Sequence, residues 1–376
     1  MTVRKAKMLN SIQRPFLINI TRAFRTTSTN ALQVLAGVRP LSIEAEIDAI
    51  ATTVLQLKKP AEFNGIVFQP DKYETKPRKF HTHPAITLDN LKCNLTQTPP
   101  NTTLIAYTDG SKIDNKVGCG MTIRTGTDTT TEWQGYLRPD NNVFQAELAA
   151  IKHSISYLQA RTNVIHIITD SQSSIYAIKS PTTTSPIAHE IQNIISSSNK
   201  TFILTWTRGH SNCEGNERAD ILAKQAAIEQ RSDLIRVPWP QSAIKLKLKQ
   251  LANEAWQMEW TNGHTGRRTH SLLPKVNEER IISNCFLTQF ISGHGSFPTY
   301  LCERNLSSNV CVCAEMGDPD HYILQCPLTT TYHVRHPTNP GIEFLRLLIK
   351  RRNVYENLRK LIDSLHQYGL ELCSPE

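Results

Sequence analysis

Residues 104–230 alternate short strand-like runs with helical apolar patterns, in an order that few folds accommodate. Three strand signals come first and end at Leu137; they are rich in Thr and Gly, which predicts an antiparallel meander. A periodic apolar face predicts a helix at 143–159. Further strands are predicted at 164–168 and 202–206, and further helices at 173–179, 187–197 and 216–230. This order predicts an α/β fold, with a mixed five-stranded sheet and helices on both faces.

Four acidic residues occupy special places in this order. Asp109 and Asp170 each follow a predicted strand, and Glu147 lies on the inward face of the first helix. Asp220 lies near the start of the last helix. Because residues just past strand ends converge on one crevice, Asp109 and Asp170 should be neighbours. Clustered carboxylates raise each other's pKa unless a cation lies among them, and oxygen ligands favour Mg²⁺ or Mn²⁺. The acids therefore predict a metal nuclease that uses two ions to hydrolyse a phosphodiester.

Each acid also has a simpler interpretation. Asp109 could be a turn residue, and Asp170 an acid favoured by the dipole at a helix start. Glu147 could lie on the surface, and Asp220 could be an ordinary helix residue. Only their joint occurrence in this order of elements favours the metal site.

Four separated blocks around these acids resemble the type 1 ribonuclease H domain. They are Tyr107-Thr108-Asp109-Gly110-Ser111, residues 145–150, Thr169-Asp170-Ser171, and Gly209-His210-Ser211 followed by residues 215–220. The resemblance implies a ribonuclease H-like fold and hydrolysis of the RNA strand of an RNA·DNA hybrid. It also implies that Asp109 bridges two Mg²⁺ ions, that Glu147 and Asp170 ligate one of them, and that Asp220 ligates the other.

The same resemblance implies roles for residues around the acids. His210 would assist proton transfer or product release. Gln172, with Asn141 or Asn142 near the first helix start, would contact substrate. The chain departs from cellular forms of the family at 179–186, where Thr and Ser replace a long basic protrusion, so we expect other segments to grip the substrate.

A cluster of cysteines near the C-terminus predicts a second metal site. Cys311, Cys313, His321 and Cys326 form the tetrahedral Cys₃His set typical of zinc. Chance clustering of reduced thiols is the alternative, with Cys285, Cys302 and His294 as less favoured ligands. The remaining cysteines are scattered, which is typical of a reducing compartment.

The flanks resemble arthropod-type non-LTR retrotransposon polyproteins. Residues 13–15, 21–28 and 31–37 resemble the end of the reverse transcriptase region, and residues 287–295 with the Cys/His cluster resemble the tail after ribonuclease H. No polymerase motif is found, so the polymerase part of the same element is an expected partner. The expected domains are 1–57 (helical remnant of the reverse transcriptase region), 58–103 (Pro-rich linker), 104–230 (ribonuclease H), 231–300 (helical connector), 301–330 (zinc module) and 331–376 (basic amphipathic helix).

Charge and hydropathy restrict the classes of molecule that the chain is expected to bind. The formal net charge is +9, and seven basic residues precede Glu44 without one acidic residue, a pattern typical of phosphate contacts but also of a solvated helix face. No apolar run reaches the roughly 18 residues of a membrane span, and no signal peptide is recognisable. We expect an intracellular protein of the cytoplasm or nucleus that binds RNA·DNA hybrid, with single-stranded RNA or DNA as further candidates and no membrane partner.

Two other functions are compatible with these patterns. A catalytically silent, nucleic-acid-binding relic would keep the fold and the basic ends without cutting. An integrase-like DNA nuclease of related fold is disfavoured by the His210 loop and the Asp220 block.

Overall fold

A computed structural model describes residues 2–77, 88–94, 104–126, 128–209 and 213–372. Its helices are, in chain order, α1 (Val3–Thr21), α2 (Thr29–Ala36), α3 (Leu41–Leu55), α4 (Val143–Gln159), α5 (Gln172–Lys179), α6 (Pro186–Ser196), α7 (Glu214–Glu229), α8 (Gln241–Asn262), α9 (Arg267–Leu272), α10 (Cys285–Ser292), α11 (Pro298–Cys302), α12 (Pro319–Leu324), α13 (Ile342–Leu348) and α14 (Arg352–Leu372). Its strands are β1 (Ala61–Phe63), β2 (Ile66–Phe68), β3 (Leu91–Asn94), β4 (Leu104–Ile113), β5 (Lys116–Thr125), β6 (Asp128–Leu137), β7 (Val164–Thr169), β8 (Thr201–Trp206) and β9 (Asp233–Ile235). Short 3-10 helices lie at Pro70–Lys72 and Pro327–Tyr332.

The chain divides into two compact units. One is Ala51–Lys247, and the other combines Met1–Ile50 with Leu248–Glu376. Among the described residues, no helix has both the length and the apolar character needed to cross a membrane.

A mixed sheet in the order β3-β8-β7-β4-β5-β6-β9 forms the centre of the Ala51–Lys247 unit. Strands β4, β5 and β6 are antiparallel neighbours, while β7 and β8 run parallel to β4. These five strands confirm the predicted α/β sheet. Strands β3 and β9 extend it at the two edges, each in parallel pairing.

Local sequence explains how the central elements begin and turn. Asp114 and Asn115 join β4 to β5 with positive φ angles of 47° and 62°, the two-residue turn that suits the twist of a hairpin. Asn142 caps α4 by accepting a hydrogen bond from the Gln145 amide, and the Gln145 side chain accepts one from the Asn142 amide.

Part of the segment expected to be a linker is folded. β1 and β2 pair as a hairpin, and Tyr73 forms a β-bridge with Trp239, whose ring lies 5.8 Å from the Tyr73 ring. Glu74 also accepts a hydrogen bond of 2.5 Å from Gln145 on α4. Residues 61–77 therefore pack on the sheet-bearing unit, and the prolines that interrupt its sequence do not prevent this.

Two glycines on β5 let α7 lie directly against the sheet. A Cβ at Gly118 would come within 2.2 Å of the Ala223 carbonyl oxygen, and one at Gly120 within 2.4 Å of the Ala219 carbonyl oxygen. Only glycine on the strand and small residues on the helix permit this approach. The contact fixes the height of α7 above β4 and β5.

The second unit joins the two ends of the chain around its own core. Buried residues of α1 and α2 pack together, including Leu17, Leu32 and Ala36. The Thr288 hydroxyl on α10 donates to the Thr21 carbonyl (3.0 Å), a contact across 267 positions. The segment 331–376, expected to form a basic amphipathic helix, contains two helices, α13 and α14. The break at 349–351 lets α13 bury Leu345 and Leu348 while α14 buries Val354 and Leu358, which one continuous apolar face would not do.

Substituting Gly120→Ala should disturb the packing of α7 against β5. The new Cβ would collide with backbone atoms, so the helix must shift at a cost of about 1–3 kcal/mol or more. Urea unfolding of the whole chain would measure the loss of stability, and hydrogen exchange of β5 peptides would measure the local disturbance. Gly341→Ala, which meets nothing within 4 Å, is the matched control. Equal stability and exchange in the two variants would contradict the close-packing account.

Candidate active site

Strand register brings two of the acids together. β4 and β7 run parallel with Thr108 beside Thr169, so Asp109 and Asp170 follow at the same edge of the sheet. Asp109 also faces Gly120 across the antiparallel β4–β5 pair. The two aspartates are therefore neighbours, as the sequence predicts. The prediction that Asp109 follows the end of its strand is wrong, because β4 continues to Ile113 through its pairing with β5 and only its parallel pairing with β7 ends at Thr108.

Helix α4 supplies the third carboxylate. A Cβ at Gly110 would come within 2.8 Å of the Glu147 amide nitrogen, so α4 contacts the strand backbone directly beyond Asp109. The Thr169 hydroxyl donates a long hydrogen bond to Glu147 Oε2 (3.5 Å). Ligand oxygens of Asp109, Glu147 and Asp170 all lie within 4.8 Å of one another.

Asp220 approaches the cluster from α7. Its negative charge helps to raise the pKa of Asp109, although Asp220 is outside the set of three. Lys224, one helical turn further on, donates to Asp220 Oδ2 (2.6 Å). Sequence reasoning missed Lys224, whose signal is the i,i+4 spacing of opposite charges on a helix.

The cluster is electrostatically strained. Asp109 is only 7% exposed and Glu147 only 5%. Burial, reinforced by the charge of Asp170, raises the pKa of Asp109 from 3.8 to about 7. Burial and then the neighbouring Asp109 and Asp170 raise the pKa of Glu147 well above its ordinary value. A cation among the three groups would remove both penalties.

The donor chemistry fits a hard divalent cation. Carboxylate oxygens are the ligands that Mg²⁺ and Mn²⁺ prefer, and such ions are held by a few carboxylates while keeping waters for a phosphate ligand. Asp109, Glu147 and Asp170 could hold one ion, and Asp109 with Asp220 could contribute to a second.

The predicted catalytic histidine and the predicted substrate-binding residues are not part of the acid cluster. His210 lies outside the described residues. A Cβ at the preceding Gly209 would come within 2.9 Å of Asp170 Oδ2, so Gly209 itself lies against the cluster. Gln172 is exposed at the first turn of α5, two residues past Asp170. Asn141 is buried and donates to Gln145 Oε1 (2.9 Å), and Asn142 caps α4. Their substrate contacts stay predictions.

The Cys/His cluster also comes together, in the unit that contains both chain ends. Cys311, Cys313, His321 and Cys326 have ligand atoms within 4.8 Å of one another, and Cys313 Sγ lies 3.2 Å from His321 Nε2. Although burial opposes it, hydrogen bonds led by the Cys313 backbone lower the pKa of Cys311 to about 6. Three sulfurs and one imidazole at this spacing fit tetrahedral zinc.

The arrangement agrees with comparisons to known proteins. Residues 101–228 match the RNase H family model. A Pol polyprotein from the type-1 retrotransposable element R1 of Popillia japonica is 25% identical over 238 residues, which are 61% of this chain and 96% of that relative. Similar Pol polyproteins of Nasonia vitripennis and Bradysia coprophila are 28% and 35% identical over 26% and 23% of this chain, which spans only 27% and 9% of their lengths.

Two solved structures also align with about a third of the chain. Ribonuclease H1 of Halobacterium salinarum is 20% identical, with a TM-score of 0.29, covering 34% of this chain and 98% of that one. LC11-RNase H1, solved with an RNA/DNA hybrid, is 20% identical, with a TM-score of 0.30, covering 35% and 100%.

The sheet, its acid cluster and the family match define the class: the Ala51–Lys247 unit contains a ribonuclease H domain. The similarity to R1 Pol polyproteins supports the resemblance of the chain to part of a non-LTR retrotransposon polyprotein.

The acid cluster should make stability depend on pH. Between about 3.8 and 7 the unfolded chain loses the Asp109 proton while the folded protein retains it, so the free energy of unfolding falls as pH rises through this window. Without added divalent cations, Asp109→Asn should therefore stabilise the unit at about pH 8, by on the order of 2–4 kcal/mol, and have little effect at about pH 3. Calorimetry at both pH values measures this; a variant no more stable than wild type at pH 8 would contradict it.

Proposed function

We propose that the chain is a metal-dependent ribonuclease that hydrolyses the RNA strand of an RNA·DNA hybrid during retrotransposition. The observation that carries this proposal is the set of three carboxylates within 4.8 Å, just beyond the parallel pairing of β4 with β7, inside a segment that matches the RNase H family. Buried acids in this number are costly without a cation.

Different residues of the site would bind the metal ions, orient a metal ligand and transfer a proton. Divalent ions bound here, Mg²⁺ or Mn²⁺, would supply an activated water and stabilise the leaving oxygen. Asp109, Glu147 and Asp170 would hold one ion, and Asp109 with Asp220 would hold the other. Lys224 would orient the Asp220 carboxylate through its 2.6 Å ion pair. His210, which follows Gly209 in the sequence, would move a proton or assist product release.

Selection of a hybrid would depend on contacts with 2′-hydroxyl groups in the minor groove. Gln172 is the best-situated candidate for such a contact, since it is exposed and two residues from Asp170. The polymerase part of the same element would present the hybrid, and single-stranded RNA or DNA would bind more weakly.

A labelled RNA·DNA hybrid incubated with the whole chain and Mg²⁺ tests this function. Asp109→Asn should lower the cleavage rate about 10²–10³-fold, the scale on which one electrostatic contributor affects catalysis. Asp128→Asn, which removes an exposed acid from the first residue of β6, should cleave like wild type.

Other outcomes would favour other functions. Hybrid binding with steep salt dependence and no cleavage in wild type would favour a silent binding protein. Faster cleavage of duplex DNA than of hybrid would favour an integrase-like nuclease. Equal cleavage by Asp109→Asn and wild type would exclude the acid cluster as the active site.

The Cys/His cluster is proposed as a structural zinc site. Its neighbourhood is tied to the rest of its unit by Arg268, which donates to both carboxylate oxygens of Asp320 on α12 (2.7 and 2.9 Å). Zinc would thus stabilise the whole unit and not only the loop around it.

Native mass spectrometry should find about one zinc ion per chain in wild type and none in Cys326→Ser, because the variant loses one of four ligands. The unfolding midpoint of Cys326→Ser should also fall. Cys302→Ser, a thiol outside the cluster, is the matched control and should retain zinc. Full zinc occupancy in Cys326→Ser would contradict the assignment.

A further inference from the structure

Two distant segments of the unit formed by Met1–Ile50 and Leu248–Glu376 meet around one tyrosine. Tyr300 is buried, and its hydroxyl shares a hydrogen bond of 2.7 Å with the Thr26 hydroxyl. The Thr26 hydroxyl also shares a hydrogen bond of 2.9 Å with His294 Nδ1, across 268 positions of the sequence. The turn between α1 and α2 is therefore held against the segment between α10 and α11.

Three aromatic rings lie together at this junction. The Phe24 ring stands edge-on to the Tyr300 ring, with centroids 6.0 Å apart. The His294 ring is tilted by 33° to the Tyr300 ring, with centroids 4.9 Å apart. Tyr300 supports the other two from below the surface, whereas Phe24 and His294 are only half-buried. Half-exposed rings of this kind can stack on nucleobases, whatever the base.

Two arginines lie beside the rings. Arg304 is exposed, and its guanidinium carbon lies 5.6 Å from the centroid of the Tyr300 ring. Arg25 is exposed as well, and with Thr26 it forms the tip of a turn that starts at Phe24. Neither arginine forms an ion pair with a described acidic residue. Both guanidinium groups are therefore available to an anion from solution.

The histidine contributes a ring and not a charge. Burial, and then the nearby charge of Arg304, lower the pKa of His294, although Glu303 opposes this. The imidazole is therefore uncharged at neutral pH. The surface thus combines two uncharged half-exposed rings with two unpaired cations, in a unit whose first 43 residues contain seven basic residues and no acidic one.

We propose that the surface formed by Phe24, Arg25, His294 and Arg304 binds single-stranded nucleic acid. The two guanidinium groups would contact backbone phosphates, and the two rings would stack on bases. An unpaired strand offers both phosphates and open base faces. A duplex covers its base faces, and an acidic protein segment has none. This site is separate from the acid cluster, and its test measures binding alone.

Fluorescence anisotropy of the whole chain, without added divalent cations, measures this binding. The probe is a labelled single strand of about 16 nucleotides, as RNA and as DNA, titrated at several salt concentrations. Arg304→Gln and Arg25→Gln each remove one charge, His294→Ala removes a ring, and His294→Phe retains one. Arg351→Gln and His264→Ala are the matched controls, because both residues are exposed in the same unit and lie outside this surface. The thermal unfolding midpoint of each variant reports whether the fold is retained.

The arginine and histidine variants should differ in their salt dependence. Arg304→Gln and Arg25→Gln should each weaken binding and reduce the slope of log affinity against log salt concentration by about 0.7, as expected for one phosphate contact with a single strand. His294→Ala should weaken binding about tenfold without changing the slope, because lost stacking releases no counterions. His294→Phe and both controls should bind like wild type. Whichever of RNA and DNA binds more tightly identifies the strand that the surface prefers.

Three results would overturn the proposal. If Arg351→Gln weakens binding as much as Arg304→Gln, the general charge of the chain is responsible and not this surface. If His294→Ala binds like wild type, the surface makes no base contacts. If poly-glutamate displaces the probe as well as unlabelled oligonucleotide does at equal negative charge, the surface fits an acidic protein segment instead.

Discussion

The main physical constraint on the ribonuclease H unit is that its backbone contacts hold buried carboxylates close together despite their mutual repulsion. Asp109 and Glu147 are nearly inaccessible to water, and Asp170 adds a third negative group beside them. They cannot move apart, because the β4–β7 register fixes the two aspartates and contact between α4 and Gly110 fixes the glutamate. The same backbone contacts that stabilise the sheet therefore hold an arrangement that is unfavourable when all three groups are ionised, unless a cation lies among them.

Much of this arrangement could be predicted from local sequence. The apolar runs before Asp109 and Asp170 indicate where the two aspartates meet, and the helical periodicity around Glu147 indicates which face turns inward. These signals lie within a few residues of the groups that they position, so periodicity and turn chemistry are sufficient to find them. Asp220 is different, because its helix approaches the sheet through contacts with Gly118 and Gly120, which lie far from it in the sequence.

Other features depend on contacts between distant segments. β3 and β9 are short edge strands whose parallel partners lie about a hundred residues away, and neither has a periodic pattern of its own. The hairpin at 61–68 and the Tyr73–Trp239 bridge could not be predicted, because the prolines of this segment indicate a linker. The joining of both chain ends into one core depends on contacts between distant segments, which no local sequence pattern indicates.

The central claim is that the carboxylates of Asp109, Glu147 and Asp170 form a divalent metal site. Anomalous diffraction from crystals soaked in Mn²⁺ tests it directly, because Mn²⁺ shares the oxygen preference of Mg²⁺ and its position can be located independently of the protein atoms. The account predicts an anomalous peak within coordinating distance of Asp109, Glu147 and Asp170. Ordered carboxylates in such crystals with no peak among them, while Mn²⁺ occupies other acidic groups, would contradict it.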